Sequence, residues 1–333
     1  MSLETNDLLF DYDVAEWLAD PGLAFDAFLD SYRFNRRKLR ASSFGIYKGM
    51  FERLRAWAQQ QERTLFDLGA AELEHFLYGR GLSIQTRHRY LLLFSNLFEH
   101  LAQLRAASAR LTPVAGDNPA RVLLLEREAP LRTDPDFLTE SEVQQFIRAL
   151  PPAEGWKLQR DRAMVLLLLG AGLRSSEALA LKASDVIFKG EEILGLRVQA
   201  QKPRPARQVP IHTWAHSELS AWLHLREIYA SGKAPRSVRC KDQRLVGPLL
   251  FPANLSGAAL NPPTLFRQVK AILQRTGIVK RYDGPTLLRN SCGALWLQKH
   301  EPLQVSLWLG HATVRTTELL LPPARRSRHP DWK

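Results

Sequence analysis

The chain has 333 residues, of which 45% are hydrophobic, and its 46 Lys and Arg exceed its 34 Asp and Glu to give a formal net charge of +12. This length predicts two domains. The positive charge favours a polyanionic partner, above all a nucleic acid. The longest apolar run, Met164 to Leu173, is too short to cross a bilayer, so we expect no membrane partner.

Two cysteines, Cys240 and Cys292, are the only ones in the chain. Two isolated cysteines provide neither a disulfide framework nor a zinc site, which is consistent with a reducing cytoplasm. The N-terminus lacks the basic start of a signal peptide. We therefore expect a cytoplasmic protein with no metal and no cofactor.

Residues 1–21 form an acidic leader in this interpretation. The first thirty residues contain eight Asp and Glu and no Lys or Arg, so we expect this region to avoid DNA. Two interpretations stay open: a solvated leader, or a segment that docks on a protein. The second depends on apolar side chains at helical spacing: Leu8, Leu9, Phe10, Val14, Trp17 and Leu18.

Residues 22–110 predict an all-α domain of four or five helices, because apolar residues recur there at helical spacing. Basic residues cluster in two places near helix starts, where backbone N–H groups also favour phosphate. These candidate DNA-binding residues are Arg36, Arg37, Lys38, Arg40, Arg87 and Arg89. The alternative is that both clusters are solvated faces.

Residues 111–135 predict a linker, since five prolines and glycines interrupt any helix there. A second domain follows at 136–321, opened by a capping box of Thr139 and Glu142. Its helices should flank a small β-meander with strands near 185–188, 193–199 and 207–211. Residues 322–333 form a basic tail, for which DNA contact by Arg325, Arg326 and Arg328 and disorder are both open.

The most specific stretch of the chain reads Ala171-Gly172-Leu173-Arg174-Ser175-Ser176-Glu177 after a buried helix. This stretch resembles the first catalytic motif of the tyrosine recombinase (phage integrase, Xer-like) family. The resemblance covers residues 22–321. It implies a mainly α fold, with an all-α core-binding domain across the duplex from an α+β catalytic-type domain that contains a three-stranded antiparallel sheet.

The resemblance also implies further site residues. Lys202 matches the family's catalytic lysine, although Pro203 stands where a glycine is usual, and Arg207 lies in the strand that follows and is a candidate DNA contact. Arg289 matches the second catalytic arginine, and Thr286 replaces the histidine of that motif. His311, in Leu309-Gly310-His311, matches the family's Leu-Gly-His.

The family's nucleophile is a tyrosine nine residues after that histidine. Leu320 occupies this position, and the last tyrosine of the chain is Tyr282. In the family's reaction a tyrosine phenolate attacks a DNA phosphate, while arginines and histidine stabilise the charge and lysine protonates the leaving oxygen. Leucine has no lone pair, so this chain should not cleave DNA alone.

Three hypotheses follow, all with double-stranded DNA as the partner. The first is an inactive accessory or regulatory subunit in recombination or integration of a mobile element, beside another tyrosine recombinase subunit. The second is an active recombinase that receives its tyrosine from a partner. The third is a DNA-binding regulator without a role in recombination.

Each site residue also has a structural interpretation. Arg174 could form a salt bridge with Glu177, Lys202 could be a solvated turn residue, and His311 could be a helix-end cap. Thr286 is more typical of a helix N-cap than of a phosphate contact. Trp296 and Trp308 are expected in the core.

Overall fold

The computed structural model describes residues 13–31, 41–110, 118–126, 134–201, 204–233 and 244–326. The chain divides into two compact units, Met1–Arg132 and Thr133–Lys333. Within the described ranges the fold is mainly α with a three-stranded antiparallel sheet, as predicted. None of the helices in these ranges is long and apolar enough to span a membrane.

The first unit is all-α in its described part. Its helices are α1 (Val14–Ala19), α2 (Pro21–Asp30), α3 (Ala41–Gln60), α4 (Ala70–Tyr78), α5 (Ile84–Ala109) and α6 (Pro119–Glu126). Side-chain oxygens cap several of these starts, as the orphan N–H groups of a first turn require. Asp20 accepts from the backbone of Gly22 and Leu23, and Ser83 from that of Thr86.

Aromatic packing holds this unit together. The rings of Phe25 and Phe51 are stacked at 3.9 Å, and Trp17 meets Phe28 and Phe51 edge-on. Trp17 is buried, so α1 packs on its own unit, and its indole is not available for docking; Leu18 is exposed. Val14 is half-buried at the start of α1, whereas Leu8, Leu9 and Phe10 lie outside the described residues.

A helix lies inside the segment predicted as a linker, and that prediction is wrong for residues 119–126. Pro119 is the first residue of α6 and is buried with Ala120 and Leu123. A proline at the first helical position costs no backbone hydrogen bond, because that N–H has no partner within a helix. Pro119 therefore starts a helix rather than breaking one.

The second unit surrounds a buried helix. Its helices are α7 (Glu140–Arg148), α8 (Gly155–Ala171), α9 (Ser175–Ala180), α10 (His216–Ala230), α11 (Pro262–Thr276), α12 (Pro285–Trp296), α13 (Pro302–Leu309) and α14 (Val314–Glu318). The last nine residues of α8 are buried without exception, as expected of a helix that is apolar on every side.

The strands of the second unit are β1 (Val186–Lys189), β2 (Glu192–Val198) and β3 (Arg207–Pro210), in that spatial order. Leu196 pairs with Val186 on one side and with Val209 on the other. All three side chains are buried, so one face of the sheet joins the core. The register also places Arg207, at the start of β3, opposite Val198.

The turn between α8 and α9 positions the residues of the first motif. Gly172 ends α8 in the left-handed region with φ 59°, and Arg174 is the N-cap of α9. A Cβ on Gly172 would lie 2.6 Å from Leu309 Cδ2. Glycine is required here for both reasons.

We expect Gly172→Ala to destabilise the fold more than Gly190→Ala. Gly190 also has a left-handed φ, of 62°, but open space where a Cβ would stand. The left-handed backbone alone costs an alanine about 1–2 kcal/mol, and only Gly172→Ala adds the overlap with Leu309. Urea unfolding of both variants measures the difference, and equal losses would show that the Leu309 contact relaxes freely.

Candidate phosphate-binding site

Three arginines from three elements converge on the end of α13. Arg174 is the N-cap of α9, Arg207 begins β3 and Arg289 lies on the second turn of α12. Arg174 donates to the carbonyls of Leu309 (3.3 Å) and Gly310 (2.6 Å). Helix ends leave such carbonyls without partners and carry partial negative charge, so cations are favoured there.

The other two arginines complete this arrangement. Arg289 donates to the carbonyls of Gly172 and Leu309, both at 2.6 Å, and Arg207 Nε donates to Trp308 at 2.7 Å. Gly310, with φ 63°, lets the chain turn away directly beside Arg207, whose guanidinium carbon lies 3.0 Å from where a Cβ would be. The three side chains therefore fasten α9, β3 and α12 to the C-terminal end of α13.

Glu177 is the carboxylate of this cluster, and it is almost fully buried. It accepts from Arg174 Nη1 at 2.9 Å and from both Nη atoms of Arg207, at 2.9 and 2.8 Å. Burial opposes its ionisation, but these donors and the Arg174 backbone N–H outweigh burial and lower its pKa to about 2. Arg174 thus forms the predicted salt bridge and keeps its side chain partly exposed.

The cluster carries excess positive charge. Arg289 is buried, and within the described part of the chain its hydrogen bonds go to carbonyls rather than to a carboxylate. Burial and the neighbouring charge of Arg174 lower its pKa to about 9. Three guanidiniums against one carboxylate leave a local surplus of cations, and buried charge without a counter-charge is costly. An anion in contact with Arg174 and Arg289 would relieve that cost.

His311 lies at the edge of the cluster, directly after the C-cap glycine of α13. Its backbone N–H bonds Ser306 and its Nδ1 lies 2.8 Å from Thr317 Oγ1. Burial, followed by the charges of Arg289, Arg174 and Arg207, lowers its pKa to about 3. The imidazole is therefore neutral at physiological pH.

Two positions depart from the family pattern. Thr286 is exposed at the second position of α12; the N-cap of that helix is Gly284, so the interpretation of Thr286 as N-cap is wrong. Leu320 is buried, and a Cβ on Gly293 would lie 2.6 Å from its Cδ1. The position of the nucleophile is filled by a core side chain packed against a glycine.

Several polar and basic residues of the second unit have structural partners. Arg207 uses one N–H of each of its three guanidinium nitrogens on Glu177 or Trp308, which leaves two of its five donors, and its DNA contact stays a prediction. Asn290 donates to the Asp136 carbonyl, and Arg326 forms a bidentate pair with Asp134. Trp296 is buried in the core as expected.

Lys202 and Pro203 lie outside the described residues. On either side of them, Gln201 and Arg204 exchange two backbone hydrogen bonds, at 3.1 and 2.8 Å. Gln201 also bonds Ser176 through its side chain, which ties this end of the β2–β3 connection to α9. The prediction for Lys202 stays a prediction, and within the described residues no His, Cys, Asp and Glu cluster could hold a metal ion.

A second basic surface lies on the first unit. A groove with a volume of about 610 Å³ is lined by Arg53, Arg80 and Arg89 together with apolar side chains that include Ile46 and Leu82. All three arginines are exposed, and no carboxylate of the described residues pairs with them. The composition signalled Arg89 but not Arg53 or Arg80, because their convergence depends on how α3, α4 and α5 pack.

Of the other basic residues predicted in this unit, Arg87 is described and the four of the 36–40 cluster are not. The Arg87 guanidinium lies 4.3 Å from the centre of the Tyr78 ring, a cation–π contact that holds it half-buried. Arg36, Arg37, Lys38 and Arg40 fall outside the described residues. In the groove, Arg53 donates to Tyr90 Oη at 3.1 Å and Arg80 lies 5.3 Å from the centre of the Phe76 ring, so both have neutral partners that leave their charge uncompensated.

Glu177→Gln tests the electrostatics of the cluster. Because folding lowers the pKa of Glu177 from an ordinary 4.5 to about 2, its stabilisation is complete above pH 4.5 and is lost as the pH falls toward 2. At roughly 1.4 kcal/mol per pKa unit, the contribution is about 3 kcal/mol. The variant should be much less stable than the wild type at pH 7, and the difference should shrink between pH 4.5 and 2.

Urea unfolding across that pH range provides the measurement. Glu191→Gln, an exposed position in the β1–β2 turn, is the control and should follow the wild-type curve. A gap between Glu177→Gln and wild type that stays constant down to pH 2 would contradict the strong pairing of Glu177 with the arginines.

Comparison with known proteins places this geometry in context. Residues 136–320 match the model of the phage integrase family. Tyrosine recombinase XerH of Helicobacter pylori is 26% identical over 262 residues, covering 77% of this chain and 67% of that protein. Tyrosine recombinase XerD of Proteus mirabilis is 25% identical over 304 residues, covering 90% and 88%.

Solved structures share the fold. XerH bound to its difH substrate, in a pre-cleavage complex, matches with a TM-score of 0.61 at 21% identity, covering 89% of this chain and 81% of that one. A lambda integrase dimer bound to a COC' core site matches with a TM-score of 0.61 at 17% identity, covering 97% and 100%. The chain therefore belongs to the phage integrase family of tyrosine recombinases.

Proposed function

We propose that this chain binds duplex DNA, holds one backbone phosphate with Arg174, Arg289 and His311, and does not cleave it alone. The observation that carries the proposal is the combination of an intact cationic cluster with a buried Leu320. The cluster keeps the groups that bind an anion. The position of the nucleophile holds Leu320, whose side chain has no nucleophilic atom.

The residues of this site supply the groups that bind a phosphate but not the group that attacks it. Covalent cleavage needs a nucleophile at phosphorus, and leucine has no lone pair to donate. Guanidiniums bind phosphate with two parallel hydrogen bonds whether or not a reaction follows. Thr286 replaces the family's imidazole with a hydroxyl, which can donate a hydrogen bond but does not act as a general acid or base near neutral pH. A site with these residues binds the ground state of a phosphodiester and lacks the means to open it.

The role that suits such a site is that of an accessory or regulatory subunit in recombination or integration of a mobile element. The solved relatives include lambda integrase as a dimer and as a tetramer on a Holliday junction. In a mixed assembly of that kind, a subunit that grips DNA without cutting would restrict cleavage to the strands held by its active partners. We propose another tyrosine recombinase subunit as the protein partner.

The groove on the first unit supports the DNA contact independently. Phosphate contacts supply most of the affinity of sequence-independent binding and position the protein on the duplex. The groove is lined by three guanidiniums, those of Arg53, Arg80 and Arg89, and by apolar side chains. We assign this groove to the phosphate backbone.

A nicked suicide substrate tests the proposal most simply. The nick lets a short fragment diffuse away after cleavage, so any covalent protein–DNA adduct accumulates. This chain alone should shift the duplex on a native gel at low salt and form no adduct on a denaturing gel. An adduct on this chain would overturn the proposal, and so would a failure to bind DNA at low salt.

A candidate partner recombinase distinguishes the accessory role from a tyrosine supplied in trans, for which the intact cationic half of the site is the supporting observation. In the accessory role, an adduct on the partner forms equally well with Arg289→Gln in this chain. If that adduct requires Arg289 of this chain, the partner's tyrosine attacks a phosphate held here, and the assembly is an active recombinase.

The double variant Arg53→Gln with Arg89→Gln should weaken duplex binding and lower the slope of log affinity against log salt by about two, one for each lost phosphate contact. Arg55→Gln is the matched control, since Arg55 lies on the same helix but pairs with Glu52 at 2.6 Å. Fluorescence anisotropy across a salt series measures both. Equal salt slopes for the double variant and the wild type would show that the groove does not contact DNA phosphates.

A further inference from the structure

Thr317 is a buried polar residue whose hydroxyl contacts a single side chain among the described residues, that of His311. Its side chain is fully buried on α14, three residues before Leu320. Its Oγ1 lies 2.8 Å from His311 Nδ1. The contact links α14 to the one neutral member of the phosphate cluster.

A neutral imidazole carries a single proton, on Nδ1 or on Nε2. His311 is neutral because burial and three neighbouring guanidiniums disfavour its charged form. The two tautomers differ in what they offer a phosphate. With the proton on Nε2, that nitrogen donates to a phosphate oxygen; with the proton on Nδ1, Nε2 presents a lone pair that repels it.

The hydroxyl of Thr317 distinguishes the two tautomers. If Nδ1 carried the proton, it would donate to Oγ1, and the buried Thr317 O–H would have no acceptor within the described part of the chain. A buried donor without an acceptor is costly. If Thr317 donates to Nδ1, its O–H is satisfied and the ring proton is on Nε2.

We propose that Thr317 is a positioning residue, which donates its hydroxyl proton to His311 Nδ1 and thereby fixes the Nε2–H tautomer that binds DNA phosphate. The phosphate contact rests on the function proposed above; the tautomer does not. The inference also explains what α14 does in a chain without a nucleophile: it orients the histidine.

The tautomer is measured on the free protein. In ¹⁵N-histidine-labelled protein, long-range ¹H–¹⁵N spectra distinguish a protonated from an unprotonated ring nitrogen, and the His311 signals are those lost in His311→Gln. We expect Nε2–H for His311 in the wild type and in Thr317→Ser, and a mixture of tautomers in Thr317→Val. A wild-type ring protonated on Nδ1 would overturn the proposal.

Duplex binding tests the consequence. Thr317→Val should weaken binding by roughly tenfold, the loss expected for one hydrogen bond to an anion, and Thr317→Ser should restore it. Thr316→Val is the control, because Thr316 is exposed and its hydroxyl lies 3.2 Å from that of Thr313. In a His311→Gln background, Thr317→Val should have no further effect; an undiminished loss there would show that Thr317 acts through packing alone.

Failure of the inference and failure of the proposed function give different results. If the wild type does not bind DNA, the function is wrong while the tautomer spectra still decide the role of Thr317. If the wild type binds but Thr317→Val binds equally well, Thr317 does not position a phosphate ligand, and the DNA-binding role stands.

Discussion

The arrangement of the second unit depends on one interaction: the contact of three guanidiniums with the C-terminal end of α13, balanced by Glu177. Five hydrogen bonds run from Arg174, Arg207 and Arg289 to carbonyls of that helix end and of Gly172. They join α8, α9, β3, α12 and α13 at a single point. A glycine with positive φ on each side, Gly172 and Gly310, allows the close approach.

The three arginines serve the fold as well as the proposed phosphate site. Removing an arginine would leave the buried Glu177 or several carbonyls unpaired, which costs stability. Leu320, in contrast, contributes to the core without any polar partner and packs on Gly293. A structural role and a phosphate-binding role make different predictions for an arginine variant, because the first changes stability alone and the second also changes DNA affinity.

Motif spacing predicted the strands and the central site residues, because both depend on residues that are close in the sequence. The three strands lie within one residue of their predicted bounds, and Arg174, Arg289 and His311 meet around the end of α13. The positions that sequence missed depend on tertiary packing. Arg53 and Arg80 join Arg89 only when their helices pack, and Arg207 is enclosed by Glu177 from another element. The prediction of a linker at Pro119 is wrong because proline is common both at the first position of a helix and where a helix is interrupted.

The salt dependence of duplex binding by Arg174→Gln, beside Arg162→Gln, tests the central claim most directly. Each variant removes an arginine from a carboxylate: Arg174 from the almost fully buried Glu177, and Arg162 from the partly buried Glu218. Within the described part of the chain, Arg162 bonds Glu218 and the carbonyls of Leu150 and Pro151, which lie outside the cluster. The account predicts that both variants are less stable, and that only Arg174→Gln loses affinity and lowers the log–log salt slope by about one. Equal affinity and slope in the two variants would contradict it and would leave the cluster with a structural role alone.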